Sequence, residues 1–168
     1  RHSQGSVCVS NLSQVGKAIG LYASDYDDHL PFAPSCTTAK QLAIGKSVYG
    51  DPIDKIAKNL PDIRTALHPY GVVPLLFRCP LDRISEVIAS EGGHRPTFFE
   101  EEGSSYSYDD QDALVKSVTF SGFEHPSQKM LSWDIYDGFH DGNRNTLFAD
   151  LHVKIVTPSQ QVKAVEEQ

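Results

Sequence analysis

Basic residues are scarce in this chain. Fifteen Lys and Arg stand against 22 Asp and Glu, for a formal net charge of −7 at pH 7 and a pI near 5.4. They do not cluster, and recognition of a phosphate backbone needs clustered cations, so no nucleic-acid partner is expected. No run approaches the ~18 consecutive apolar residues of a membrane span. No secretory leader is visible, and the chain starts at Arg1 rather than Met. Cys-x-x-Cys is absent, which argues against zinc ribbons and thioredoxin-type sites. Neither the Gly-x-Ser-x-Gly nucleophile elbow nor the Gly-x-x-x-x-Gly-Lys-Ser/Thr phosphate loop occurs. Cysteine is limited to Cys8, Cys36 and Cys79. These allow one disulfide and one thiol, in any of three pairings, and an oxidising compartment fits such a pair.

What is present is a chain of 168 residues, 39% hydrophobic and 22% charged, enough for one domain with a core. Its organising stretch runs from Ser3 to Asp28. Cys8, Leu12, Val15, Ile19, Tyr22 and Tyr26 recur at steps of three and four, which places them on one helical stripe. Asn11, Gln14, Lys17, Ser24 and Asp28 fall on the opposite face, expected to meet water. The expectation is a helical spine with a small sheet wrapped on it. An ordinary amphipathic helix would carry the same periodicity.

The helix is expected to end near Asp28, ahead of Pro31. Residues 29–38 read as loop. Asp51-Pro52 reads as an N-cap followed by proline at the first helical position, with a short helix to Leu60, and Pro61-Asp62 can start another. Residues 90–105, with Glu91-Gly92-Gly93-His94 and Glu100-Glu101-Glu102-Gly103, read as an exposed mobile excursion. From Ser105 the periodicity shifts towards two. Val118–Phe123, Met130–Asp134, Asn145–Ala149 and His152–Val156 are candidate strands, the last pair a hairpin around Asp150-Leu151. Thr157-Pro158 can open a final short helix. Trp133, Phe120, Phe123, Phe148 and Tyr136 are expected in the core or rim of the sheet. This order predicts an α+β fold: spine helix 1–28, a variable helical and loop region 29–104, and a sheet region 105–168.

Nine residues separate His140 from Asp150, within His-Asp-Gly-Asn-Arg-Asn-Thr-Leu-Phe-Ala-Asp-Leu-His-Val-Lys over 140–154. This stretch resembles the C-terminal signature of bacterial type IV pilin-like proteins related to type II secretion pseudopilins, a histidine, nine residues, then Asp-Gly. Cys8-Val9-Ser10-Asn11-Leu12-Ser13-Gln14-Val15-Gly16 is similar to the same family's "Cys-x-x-Asn-Leu-x-Gln-Ile-Gly" and continues through Leu21–Asp28 to Leu30-Pro31. Arg78-Cys79-Pro80-Leu81-Asp82, Ser105-Tyr106-Ser107-Tyr108, and Pro126-Ser127 before Met130-Leu131 follow in the family's order. Residues 37–75 and 84–104 match nothing in it.

The resemblance implies the head of a pilin-like α+β protein, its long N-terminal helix packed on a C-terminal antiparallel sheet. The hydrophobic anchor helix that would precede it is missing from this chain. It implies a structural subunit with no catalytic role and no required cofactor, held outside the cytoplasm and partnered by other pilin-like subunits and secretion components. It makes His140, Asn145, Asp150, Cys8 and Cys79 the signature residues. Both cysteines sit in family motifs, which favours a Cys8–Cys79 bridge over Cys36–Cys79 or three thiols. The family's glycine after the aspartate is Leu151 here. A two-residue type I′ turn would strain leucine, so a different turn or a longer loop is expected.

For His140 and Asp150 the plain alternative to ligand binding is structural, a loop closed by a histidine and a turn shaped by an aspartate. Asp134, Asp137, Asp141, Asn143 and Asp150 could together supply oxygens to calcium. A surface-tethered binding module is the first alternative function. A metal-dependent hydrolase using His140, Asp150 and His152 is the second.

Overall fold

Apolar side chains at every third or fourth position make the start of the chain a helix, α1, His2–Asp25. The computed structural model describes residues 2–84, 89, 92 and 95–160. Cys8, Leu12, Val15 and Ile19 are at most 2% exposed, whereas Tyr26 lies past the helix end and is 53% exposed. Asn11, expected to face water, is buried instead. It donates to the Arg78 carbonyl (2.9 Å), because α1 is covered on two sides rather than one. The helix stops three residues before the expected Asp28. The Asp28 N–H donates back to the Ala23 carbonyl (2.8 Å), with Asp27 and Asp28 at φ 52° and 67°, a left-handed exit that aspartate tolerates.

Short helices fill the middle. α2 is Cys36–Ala43, capped by Ser35, and α3 is Ile53–Lys58. Pro52, not Asp51, takes the N-cap position of α3, and it offers no side-chain acceptor. α4 is Ile63–Leu67, and the Asp62 carboxylate accepts the Arg64 and Thr65 N–H groups at its start. α5, Phe98–Glu102, starts at a Thr97 cap and lies within the expected excursion. It is tied down by Lys40, 2.8 Å from Glu101. Residues 90, 91, 93 and 94 of that excursion lie outside the described residues. α6 is Asp110–Leu114. After Thr157, residues 158–160 are helical and 161–168 are outside the described residues.

The second half forms a four-stranded antiparallel sheet in the order β1-β2-β3-β4. The strands are β1, Tyr106–Tyr108, β2, Met130–Asp134, β3, Arg144–Phe148, and β4, Val153–Val156. Tyr106 pairs with Asp134, Trp133 with Thr146 and Leu147 with Val153. The fold is therefore α+β. Val118–Phe123 is not a strand. Phe120–Gly122 forms a 3-10 turn, and only Thr119 bridges, to His29. Phe120 N–H to the Asp28 carbonyl (2.9 Å) and Leu30 N–H to the Val118 carbonyl (3.3 Å) make that single bridge, and it goes no further because Ser121 N–H turns to the Asp28 carboxylate (2.9 Å).

One core joins Leu12, Val15 and Ile19 of α1 to Leu67, Phe77, Tyr106, Leu131, Phe139 and Leu147. Gly16 lets α1 come close to β3, since a Cβ there would sit 2.7 Å from Leu147 Cδ1. A smaller cluster of Met130, Phe148 and Val156, with Trp133 against it, is separate from this core. Phe120, Phe123 and Tyr136 pack at the edge of the main core.

Candidate functional site

Several of the quoted segments meet in one buried knot. α1 brings Cys8 and Asn11, and Cys8 is disulfide-bonded to Cys79, Cα atoms 5.2 Å apart. The Cys79 N–H donates to Ser105 Oγ (2.9 Å). Ser105 Oγ–H in turn donates to the Asp82 carboxylate (2.7 Å). Asp82 also accepts the N–H groups of Phe98 (2.9 Å) and Phe99 (2.8 Å). One carboxylate thus ties the Cys79 segment to the entrances of α5 and β1. Tyr106 closes the knot from β1, its hydroxyl 3.5 Å from Asn11 Nδ2.

His140 lies against this knot. Its Nε2 is 3.4 Å from Cys79 Sγ, 3.0 Å from Asn145 Nδ2 and 3.5 Å from Asp134 Oδ2. A neutral ring with its lone pair on Nε2 accepts from Asn145. A ring protonated there donates to Asp134. Asp134 is fully buried at the end of β2. Burial pushes its carboxyl up to about 7, against the pull of the Asn145 N–H and Arg144, with Asp82 adding to the rise. Its Oδ2 accepts the Asn145 N–H at 2.7 Å. Its Oδ1 has no hydrogen-bond partner among the described residues. A cleft of about 660 Å³ opens beside His140, between Gly5, Ser6 and Val9 of α1 and Leu81, Asn143 and Ile155.

His140 and Asp150, the signature pair, are not brought together. Asn145, the partner of His140, lies near the start of β3, one residue after Arg144. Asp150 lies past the other end of that strand, whose 145–148 stretch spans ~10 Å at ~3.3 Å per residue. Asp150 instead contacts His152 Nδ1 and accepts the His152 N–H (3.1 Å); partial desolvation raises its carboxyl, but these bonds together outweigh it and hold the group below the usual range. His152 stacks on Phe148, ring centroids 4.6 Å apart. The hydrolase set of His140, Asp150 and His152 is therefore split between two places. The calcium set is divided the same way. Asp134 is in the knot, Asp137 opens a 3-10 turn at Asp137–Phe139, Asp141 and Asn143 line the cleft, and Asp150 is at the hairpin. Among the described residues, the group spaced to hold a metal ion is Cys8, Cys79 and His140, whose ligand atoms lie within 4.8 Å of one another. Cys36 is a buried thiol, pushed up to about 12 by burial.

The Asp150 hairpin has a three-residue loop. Leu151 N–H donates to the Phe148 carbonyl (2.8 Å) and Phe148 N–H to the His152 carbonyl (2.9 Å). Leu151 closes the loop at φ 72°, where glycine is the usual residue. A left-handed conformation costs an ordinary residue ~1–2 kcal/mol. Leu151 offsets this by packing on the core, with its Cδ1 3.2 Å from where a Cβ on Gly20 would stand. Leu151→Ala keeps the strain and loses the contact, whereas Leu151→Gly loses the contact and the strain together. The Gly variant is expected to be the more stable of the two by ~1 kcal/mol in urea unfolding, reversing glycine's usual disadvantage. An Ala variant equal to or more stable than the Gly variant would refute the strained turn.

No family model matches this chain, and no curated protein or solved structure matches it. Residue-level geometry therefore carries the functional argument. Asn11, Asp82, Ser105 and Asp134 are knot residues that the sequence reading did not single out as structural signature positions. The signal for Asn11 was its place one turn after Cys8. For Asp82 and Ser105 it is their place inside the Arg78–Asp82 and Ser105–Tyr108 motifs.

Proposed function

We propose that this chain is the head of a structural subunit, of the pseudopilin or minor-pilin kind, in a type II secretion or type IV pilus-like apparatus. In this reading α1 is the spine and the four-stranded sheet is the layer packed on it. The subunit works by filament assembly and by contact with other pilin-like subunits and secretion components outside the cytoplasm. No catalytic step belongs to it. The exposed side chains among the described residues of 37–75 and 84–104 are the ones that meet partners.

One observation supports this reading above the others. The motif segments that resemble the pilin-like family, far apart in sequence, serve one another structurally. Cys8 and Asn11, Cys79 and Asp82, Ser105 and Tyr106, and His140 and Asn145 share one knot. The remaining pair, Pro126 and Asp150, meet at the hairpin, where Asp150 N–H donates to the Pro126 carbonyl (3.2 Å). All of these segments thus meet either at a disulfide or at a turn.

The test uses the full-length gene product, tagged at its C-terminus, in its own cells. The reading expects trimming ahead of Arg1 that disappears when the prepilin peptidase is deleted. It also expects cross-links to other pilin-like subunits in sheared surface fractions. A product that is never trimmed, or that is trimmed yet remains free and uncross-linked, would overturn it.

A further inference from the structure

The knot contains a second chemistry that a purely structural role does not use. Cys8 Sγ, Cys79 Sγ and His140 Nε2 lie within 4.8 Å of one another. A tetrahedral zinc with bonds of ~2.3 Å to sulfur and ~2.0 Å to nitrogen sets its ligands ~3.5–3.8 Å apart. The Cys79 Sγ to His140 Nε2 distance is 3.4 Å. The two sulfurs are bonded, and with Cα atoms 5.2 Å apart modest side-chain rotation separates them to that spacing once the bond opens. We propose that reduction of the Cys8–Cys79 disulfide converts this knot into a zinc site, with Cys8, Cys79 and His140 as ligands and the fourth position open to the cleft.

Three further features fit that ion. Thiolate and imidazole donors select zinc over calcium or magnesium, which want oxygen. The Asp134 carboxylate, fully buried with an unpartnered Oδ1, stands 3.5 Å from the same His140 nitrogen. In its ionised form it places negative charge beside the dication. The cleft lined by Gly5, Ser6 and Val9 reaches His140 and supplies an entry path.

The step balances with a dithiol reductant. Two electrons and two protons pass from the dithiol to the protein disulfide; the S–S bond breaks and the dithiol becomes a disulfide. The two protein thiols then release two protons to solvent as two Zn–S bonds form. The imidazole nitrogen gives its lone pair to the metal in place of its present partners. Reoxidation reverses the sequence and releases zinc. Binding is thus confined to the reduced protein, and this inference does not depend on the filament reading.

The experiment is anaerobic titration with cobalt(II), then zinc, of oxidised protein and of protein reduced by a phosphine that does not hold metal. Reduced protein is expected to bind one cobalt, with sulfur-to-cobalt charge transfer and intense tetrahedral d–d bands, and zinc is expected to displace it. Oxidised protein is expected to give neither band. Cys36→Ser should leave the titration unchanged, and His140→Gln should weaken zinc by at least about tenfold, as even outer-shell losses do. If reduction loosens the fold, zinc is expected to raise the melting temperature of the reduced form. Reduced protein without thiolate–cobalt bands, a signal lost in Cys36→Ser, unchanged affinity in His140→Gln, or reduced protein left unfolded by zinc would each overturn the proposal.

Discussion

Asp134→Asn is expected to make the disulfide-bonded protein more stable at pH 8 by roughly 3–5 kcal/mol, while leaving it near wild type at pH 4. The carboxyl is fully buried, and burial raises its folded-state value to about 7 against ~3.9 when unfolded. Between those values the folded protein holds a proton that the unfolded chain releases. Stability therefore falls as pH rises, by ~1.4 kcal/mol per pH unit at most, and levels off above 7. Below ~pH 4 the group is protonated in both states and contributes no slope. Asparagine stays neutral throughout and keeps an oxygen for the Asn145 N–H now bonded at 2.7 Å. Urea unfolding at pH 4, 5.5, 7 and 8 gives the comparison. Wild-type and variant curves that run parallel would mean that Asp134 does not titrate in this window.

Removing the bridge is the second large effect. Cys8 and Cys79 are separated by 71 residues, and closing a loop of that size in the unfolded chain contributes ~4 kcal/mol in the chain-entropy account. Both sulfurs are buried, so Cys8→Ala with Cys79→Ala also leaves a small void. The double variant is expected to lose 4 kcal/mol or slightly more, a large share of the ~5–15 kcal/mol that holds a domain. Equilibrium urea curves of the double variant and of metal-free reduced wild type should both shift to lower midpoint. The double variant shifts further, since it alone has the void. Unfolding free energies within ~1 kcal/mol of oxidised wild type would show that the cross-link does little.

Periodicity exposed what is local. The stripe from Cys8 to Tyr22 is buried because a 3.6-residue repeat of apolar side chains has one way to leave water. Met130–Asp134 and the two arms of the last hairpin read as strands because β-branched and aromatic residues there are bounded by turn residues. Val118–Phe123 has a similar composition and is not a strand: after its one bridge to His29, Ser121 N–H turns to the carboxylate of Asp28, far back along the chain, and Phe120–Gly122 coils into a 3-10 turn. No local pattern reports that. Asn11 is the same lesson inside a helix: its position on the wheel says solvent, and its partners Arg78 and Tyr106 are far along the chain. The positive φ of Leu151 was legible only as a departure from Asp-Gly, since leucine itself carries no turn signal. Of the knot, the motifs supplied its members, but which atoms meet is a long-range property. His140 lies against Asn145 and Asp134 rather than the Asp150 that its spacing singles out.

The position of the bridge also decides how the molecule carries load. A pull on Arg1 against the C-terminus travels along α1 only as far as Cys8, then crosses the sulfurs to Cys79. The residues between, including most of α1 and all of α2, α3 and α4, lie off the line of tension. About 70 residues at ~3.5 Å each, some 250 Å of contour, are therefore never paid out while the bridge is intact. Tethered by its N-terminus and tugged from its far end, the oxidised protein is a short leash, and the reduced protein is a long one.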